Sequence, residues 1–146
     1  MPDEITALSE STEFVDFKVI DGIFDNPEDR QRLSPSAAIG ARNIIRIWRV
    51  PSASAATLIG VSLGTWYRIR RNHWSGSFTQ DQMTRVSLLI GIYRGLQIRL
   101  AEDLGNRWVT LANNGPLCRG RTPCEFMVAE GISGMWRLRR YVDAIG

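Results

Sequence analysis

The sequence contains few of the residues on which catalytic and metal sites are commonly built. His73 is the only histidine, and Cys118 and Cys124 are the only cysteines. We find no Ser/His/Asp catalytic triad that could include this histidine. The sequence also has no glycine-rich phosphate loop after a strand and no cluster of metal ligands. The sequence therefore disfavours an enzyme and predicts neither a cofactor nor a metal. Two cysteines are also too few for a disulfide framework, so we expect free thiols.

Long apolar runs and an export signal are absent as well. No apolar run approaches the roughly 20 residues that a membrane-spanning helix needs. Asp3, Glu4, Glu10 and Glu13 lie where a signal peptide would be basic and then apolar. We therefore expect a cytoplasmic protein that does not associate with membranes.

Strand patterns are missing too. Apolar residues recur every three or four positions through most of the chain, and no segment alternates as a half-buried strand does. With 44% hydrophobic and 23% charged residues, the composition is that of a globular protein. The fold is therefore predicted to be all-α. We divide it into an acidic N-terminal arm at residues 1–33, a first helical domain at 34–94 and a second at 95–146.

Serine and proline residues set the expected limits of the first long helix. Ser34 or Ser36 is expected to cap it, and Pro51 follows its end. Ile39 is expected on its buried side. Arginines follow at helical spacing on the other side, at Arg42, Arg46 and Arg49.

A second long helix is predicted in the middle of the chain. Thr79, with Gln82 three residues on, forms a capping box for a helix that reaches about Leu104. Gly91 and Gly95 lie four residues apart in it. They either permit close approach of two helices in a dimer or mark a bend.

The C-terminal third is predicted to contain three shorter helices. Gly105 interrupts the pattern, and residues 106–111 form the first. Thr122 caps the second, with Pro123 at its first position, and Gly131 stops it. The last begins at Ser133, with an apolar stripe of Met135, Leu138 and Val142 and a basic face of Arg137, Arg139 and Arg140.

Acidic residues are absent from one long stretch of the chain. Residues 1–33 carry nine acids and three basic residues, whereas residues 34–80 carry no acid. The acid-free stretch contains Arg42, Arg46, Arg49, Arg68, Arg70 and Arg71. Charge of one sign suits a polyanionic partner, and a solvated basic face with no partner is the alternative.

The same stretch contains a helix-turn-helix pattern at residues 52–71, SASAATLIGVSLGTWYRIRR. Gly60 tolerates the positive φ that the turn needs, and Ser62 can cap the second helix. Trp66 and Ile69, one turn apart, are expected to face the core. The surface expected to read bases and phosphates is then formed by Ser62, Gly64, Thr65, Tyr67, Arg68, Arg70 and Arg71.

Two segments resemble one protein family. The C-terminal segment carries Trp108, Leu111, Asn113, Pro116-Leu117, Gly120-Arg121-Thr122-Pro123, Glu125, Gly131 and Arg139-Arg140-Tyr141. This pattern resembles the toxin-binding domain of the Xre/MbcA/ParS antitoxins, and GVSLGTWYRIRRN is similar to the helix-turn-helix of that family. The resemblance covers residues 36–146. Cys118 and Cys124 depart from it, because the family pattern has bulky apolar residues at these positions.

The resemblance implies an Xre-like helix-turn-helix domain followed by a small helical domain that dimerises and binds a toxin. The first domain would repress the protein's own operon by binding operator DNA. The second would bind a RES-domain toxin, a class that degrades NAD, and block its active site. The toxin-binding residues are then expected to be Arg119, Arg121, Trp136, Arg137, Arg139, Arg140 and Tyr141.

Two other functions stay open at this point. One is a free-standing helix-turn-helix transcriptional regulator whose C-terminal domain only dimerises. The other is a pure protein-binding inhibitor whose helix-turn-helix has lost its affinity for DNA. Measured affinities for DNA and for a toxin distinguish the antitoxin, the regulator and the inhibitor, because the antitoxin binds both, the regulator only DNA and the inhibitor only the toxin.

Overall fold

The computed structural model describes residues 23–145, and these residues form helices and turns without a strand. The predicted all-α fold is confirmed. Most of the predicted acidic arm lies outside the described residues. Within residues 23–145 the α-helices are α1 Pro27–Trp48, α2 Ser52–Ile59, α3 Leu63–Arg70, α4 Gln80–Arg99, α5 Glu102–Arg107 and α6 Pro123–Ala144, with 3-10 turns at Ile23–Asp25 and Trp108–Thr110.

Helix α1 begins at Pro27, well before the predicted start. The Asn26 side chain caps it by accepting a hydrogen bond from the Glu28 N–H (2.8 Å). Asparagine is as good a cap as serine. Proline suits the first helical position because an N–H at that position would have no acceptor within the helix. Asn26 and Pro27 therefore start α1.

The predicted caps at Ser34 and Ser36 are wrong, because both residues lie inside α1. Ser34 is fully buried, and its hydroxyl donates to the Arg30 carbonyl (2.5 Å) and accepts from the Phe78 N–H (2.8 Å). It therefore joins α1 to the segment that precedes α4. Ile39 also differs from its prediction, since it is 39% exposed.

Helix α4 packs against both α1 and α6. The predicted capping box is confirmed, with Thr79 and Gln82 each bonding the other's backbone. The helix ends at Arg99 because Leu100 is extended (φ −122°, ψ 157°). The predicted extension to Leu104 is wrong, and that residue lies in α5.

Two glycines let α6 lie close against α4. A Cβ atom on Gly91 would lie 2.0 Å from Arg139 Nη1, and one on Gly95 would lie 2.8 Å from Val142 Cγ1. Both distances are too short for any side chain to be accommodated without movement. The close helix approach therefore occurs within the chain.

Helix α6 contains a break at Gly131. It starts at the predicted cap, Thr122, which forms a capping box with Glu125, and at Gly131 the backbone takes φ 68° and ψ −151°. That region is essentially restricted to glycine. The predicted stop at Gly131 is confirmed as a break, after which helix resumes and buries Met135, Leu138 and Val142.

The segment between α4 and α6 differs from its prediction. Gly105 is buried inside α5 instead of interrupting a helix, and a Cβ atom there would lie 3.3 Å from the Leu96 carbonyl oxygen. Residues 108–110 form a 3-10 turn, and Leu111 is extended. The predicted helix at residues 106–111 is therefore wrong.

One hydrophobic cluster runs through the described residues. Among its fully buried side chains are Trp48, Trp66, Phe78 and Phe126, which come from both predicted domains. The predicted boundary at residue 95 falls within α4. None of the helices in residues 23–145 combines the length and the apolar character of a membrane span.

Candidate nucleic-acid and protein interfaces

Helices α2 and α3 are joined by a short turn at the place where the helix-turn-helix is predicted. Gly60 ends α2 in the left-handed region (φ 81°), and its N–H donates to the Ala56 carbonyl (2.9 Å). Ser62 caps α3 by accepting a hydrogen bond from the Thr65 N–H (3.1 Å). Helix α4 holds the turn in place, since Gln82 Nε2 donates to the Gly60 carbonyl (2.9 Å).

Helix α3 has one buried face and one exposed face. Trp66 and Ile69 are each 2% exposed and pack into the core, as predicted. On the other faces, Ser62, Gly64, Arg68, Arg70 and Arg71 are exposed, and Thr65 and Tyr67 are half-buried. The residues expected to contact DNA thus lie together on α3 and its two ends.

Hydrogen bonds order the side chains at the start of α3. The Ser62 hydroxyl donates to Thr65 Oγ1 (3.1 Å), and Arg68 Nη2 donates to the same oxygen (3.0 Å). This arrangement restricts Arg68 before any partner arrives. A restricted guanidinium loses less conformational entropy when it binds.

Arg70 lies on a different side of α3. Its Nη1 donates to Ser52 Oγ at the start of α2 (3.3 Å), and its guanidinium carbon lies 5.1 Å from the centre of the Tyr67 ring. This position brings Arg70 beside the arginines of α1. The helical spacing of Arg42, Arg46 and Arg49 could be predicted, but their proximity to Arg70 could not.

A second candidate surface lies on the exposed face of α6. Pro116, Leu117, Arg137, Arg140 and Tyr141 line an open groove there. Tyr141 stacks against Trp108, with ring centres 6.2 Å apart and planes inclined by 21°. Apolar and aromatic side chains flanked by arginines are typical of the centre of a protein interface.

Arg119, Arg121 and Trp136 are also expected to bind a toxin, and none of them lines this groove. Trp136 is 36% exposed, and Arg119 lies on the surface with a left-handed backbone (φ 54°). The guanidinium carbons of Arg121 and Arg137 lie 5.4 and 5.3 Å from the centre of the Phe126 ring. Both arginines are therefore held against α6.

Arg139 departs from the predicted basic face. Its guanidinium packs over Gly91 of α4, and its Nε lies 3.4 Å from Asp143 Oδ2. The helix periodicity places Arg139 between the exposed side of α6 and the side that meets α4. The close approach at Gly91 gives its long side chain a place to pack.

The two cysteines are buried free thiols. Burial raises the pKa of Cys124 to about 11, and it also raises the pKa of Cys118. Both thiols therefore stay protonated at neutral pH. Within the part of the chain that the structure describes, no group of His, Cys, Asp or Glu side chains is arranged to hold a metal ion.

Comparisons with known proteins give no relative. No family model, no curated protein and no solved structure matches the chain.

Proposed function

We propose that the protein is an antitoxin that binds operator DNA through α3 and a RES-domain toxin through the exposed face of α6. The DNA-binding part is supported by two helices joined by a short turn, of which the second exposes Arg68 and Arg70, with Arg71 exposed just after it. The acid-free sequence around it adds to the attraction for a polyanion.

The dimensions of α3 suit the major groove of DNA. An α-helix with its side chains is about 10–12 Å in diameter, and the groove is about 12 Å wide, so the eight residues of α3 can lie within it. Gly64 has no side chain, and a Cβ atom there would meet nothing nearer than Ser62 Oγ at 4.0 Å. The start of α3 can therefore approach the DNA closely, with Ser62, Thr65 and Arg68 as donors to bases or phosphates.

The toxin-binding part of the proposal rests on the groove of α6 and on the family resemblance of residues 108–146. The groove offers Leu117 and Tyr141 for apolar contact, with Arg137 and Arg140 beside them. Arginines are repelled by a basic pocket that takes a pyrophosphate, so we expect them to pair with acids at its rim. In this proposal α6 blocks the approach of the dinucleotide.

The proposal includes a cytoplasmic homodimer. Dimeric helix-turn-helix proteins commonly bind two half-sites about one turn of the DNA apart. The two-fold symmetry of the dimer then matches that of the operator. A dimer that also binds toxin would carry two toxins on one operator-bound assembly.

We expect Trp136→Ala combined with Arg140→Ala to abolish toxin neutralisation without loss of DNA binding. Both residues are exposed, and truncating a tryptophan or arginine at the centre of an interface commonly costs at least about 2 kcal/mol, or roughly thirtyfold in affinity. The test is co-expression with a RES-domain toxin, the partner that we propose, with cell growth and NAD content as readouts.

The matched control is Leu104→Ala combined with Arg107→Ala, which removes an exposed apolar side chain and an exposed arginine away from the groove. Neutralisation by the α6 double variant at the level of the control would contradict the toxin-binding surface. If the wild-type chain binds DNA but no toxin, the free-standing regulator is correct. If it binds toxin but no DNA, the pure inhibitor is correct.

A further inference from the structure

The first residue of α3 is an exposed leucine. Leu63 is 43% exposed and lies outside the hydrophobic cluster of the described residues. Two other apolar residues of α3, Trp66 and Ile69, are each 2% exposed. A single exposed leucine is common on protein surfaces, so the position of Leu63 decides what it can contact. It is not one of the residues that the sequence led us to expect at the DNA.

Leu63 lies on the flank of α3 that adjoins its exposed face. Successive residues of an α-helix are about 100° apart around the axis, which places Leu63 between buried Trp66 and exposed Gly64. It also lies one turn before Tyr67, which is half-buried. The Cα–Cβ bonds of a helix tilt toward its N-terminus, so the side chain of Leu63 extends toward the start of α3.

The fold leaves the start of α3 open to a partner. Among the described residues, a Cβ atom on Gly64 would meet nothing nearer than Ser62 Oγ at 4.0 Å. The Ser62 hydroxyl is itself held by Thr65, through the Thr65 N–H and Oγ1 (both 3.1 Å). In helix-turn-helix proteins bound to DNA, the N-terminal residues of the second helix contact base edges in the major groove. Leu63 occupies such a position.

The chemistry of Leu63 differs from that of its neighbours at the start of α3. Serine, threonine and arginine side chains form hydrogen bonds, as those of Ser62, Thr65 and Arg68 do here, whereas leucine neither donates nor accepts one. A polar base edge that faced leucine would lose water without gaining a partner, which costs free energy. The apolar group that bases present in the major groove is the C5 methyl group of thymine.

We propose that Leu63 contacts the C5 methyl group of a thymine and thereby specifies an A·T base pair in the operator. The inference rests on the proposed binding of DNA by α3, and it adds the identity of one base. Contact between the two apolar groups removes both from water and is therefore favourable. A G·C pair is disfavoured at that position, because it presents no methyl group in the major groove.

The experiment uses a duplex that the full chain selects from a random-sequence library. Each thymine of the selected duplex is replaced singly by uracil, which pairs with adenine in the same way and lacks only the C5 methyl group. Affinities are measured by fluorescence anisotropy. For the wild-type chain, replacement of the contacted thymine is expected to weaken binding by about fourfold, the effect of exposing one buried methyl-sized group.

Leu63→Ala tests whether that methyl group meets Leu63. The variant is expected to bind the selected duplex about tenfold more weakly, and to bind the thymine and uracil duplexes within about twofold of each other. The ratio of these two affinities does not depend on how much of the variant is folded. Leu63→Met keeps a flexible apolar side chain and is expected to retain the preference for thymine.

The matched control is Leu104→Ala, which removes the same side chain from a position in α5 that is 40% exposed. We expect its affinity and its preference for thymine to equal those of the wild type. An equal loss of affinity in both alanine variants would overturn the proposal, and so would a Leu63→Ala chain that keeps the full preference for thymine.

Two further outcomes separate this proposal from the proposed function. If the wild-type chain binds a selected duplex with the same affinity after every uracil replacement, the role of Leu63 is wrong and DNA binding stands. If the chain selects no duplex at all, DNA binding by α3 is wrong, and the role of Leu63 is wrong with it.

Discussion

Trp66→Ala is expected to lower the free energy of unfolding by about 3–5 kcal/mol. Trp66 is 2% exposed and is one of the largest side chains in the hydrophobic cluster. Truncation removes its apolar contacts and leaves a cavity where α3 meets the rest of the fold. The measurement is urea unfolding of the purified chain, with linear extrapolation to water.

Two variants show whether packing causes this loss. Trp136→Ala removes the same side chain from a position that is 36% exposed, and it is expected to change the free energy of unfolding by less than about 1 kcal/mol. Trp66→Phe keeps most of the apolar volume and removes an N–H without a partner among the described residues, so it is expected to cost less than Trp66→Ala. A loss of under 1 kcal/mol in Trp66→Ala would contradict the described position of α3.

Arg68→Ala combined with Arg71→Ala is expected to weaken operator binding by roughly 100-fold. Both residues are exposed on or just after α3, and each guanidinium that contacts a base or a phosphate contributes about 1–3 kcal/mol. Arg70 is left unchanged because its hydrogen bond to Ser52 joins α3 to α2. The measurement is fluorescence anisotropy of a labelled DNA duplex from the region upstream of the protein's own reading frame.

The control for this prediction is Arg32→Ala combined with Arg107→Ala. It removes the same net charge from exposed positions outside α3 and is expected to retain nearly all of the affinity. Equal weakening in both double variants would indicate a general charge effect and argue against α3 as the DNA-contacting helix. Toxin neutralisation is expected to be intact in both.

Local signals in the sequence predicted much of this fold. The helix-turn-helix followed from Gly60, Ser62 and Trp66, because turn, cap and buried face each depend on residues only a few positions apart. The capping box at Thr79 and the cap at Thr122 were predicted for the same reason. Such interactions are determined almost entirely by neighbours in the chain.

Predictions failed where a distant partner decides the structure. Ser34 has the sequence features of a helix cap, but its hydroxyl bonds the Phe78 N–H, 44 residues away. Gly91 and Gly95 gave no indication of which helix would pack against them. Arg139 was predicted on an exposed basic face, but its guanidinium packs over Gly91 of α4, where no side chain occupies the space.

The same distinction applies to the candidate sites: features that depend on one helix could be predicted, and features that depend on helix packing could not. The outward residues of α3 could be predicted because α3 is one helix with a clear buried face. The proximity of Arg70 to the arginines of α1 could not, because it depends on how α3 packs and on the hydrogen bond between Arg70 and Ser52. Only the packing of α1, α2 and α3 creates that proximity.

The salt dependence of DNA binding tests the central claim most directly. The affinity of the wild-type chain for its upstream duplex is measured by anisotropy at several sodium chloride concentrations. If α3 and its arginines neutralise about three phosphates, log K falls linearly with log salt with a slope of about −3. An affinity that is immeasurably weak at low salt, or that does not change with salt, would contradict DNA binding by α3.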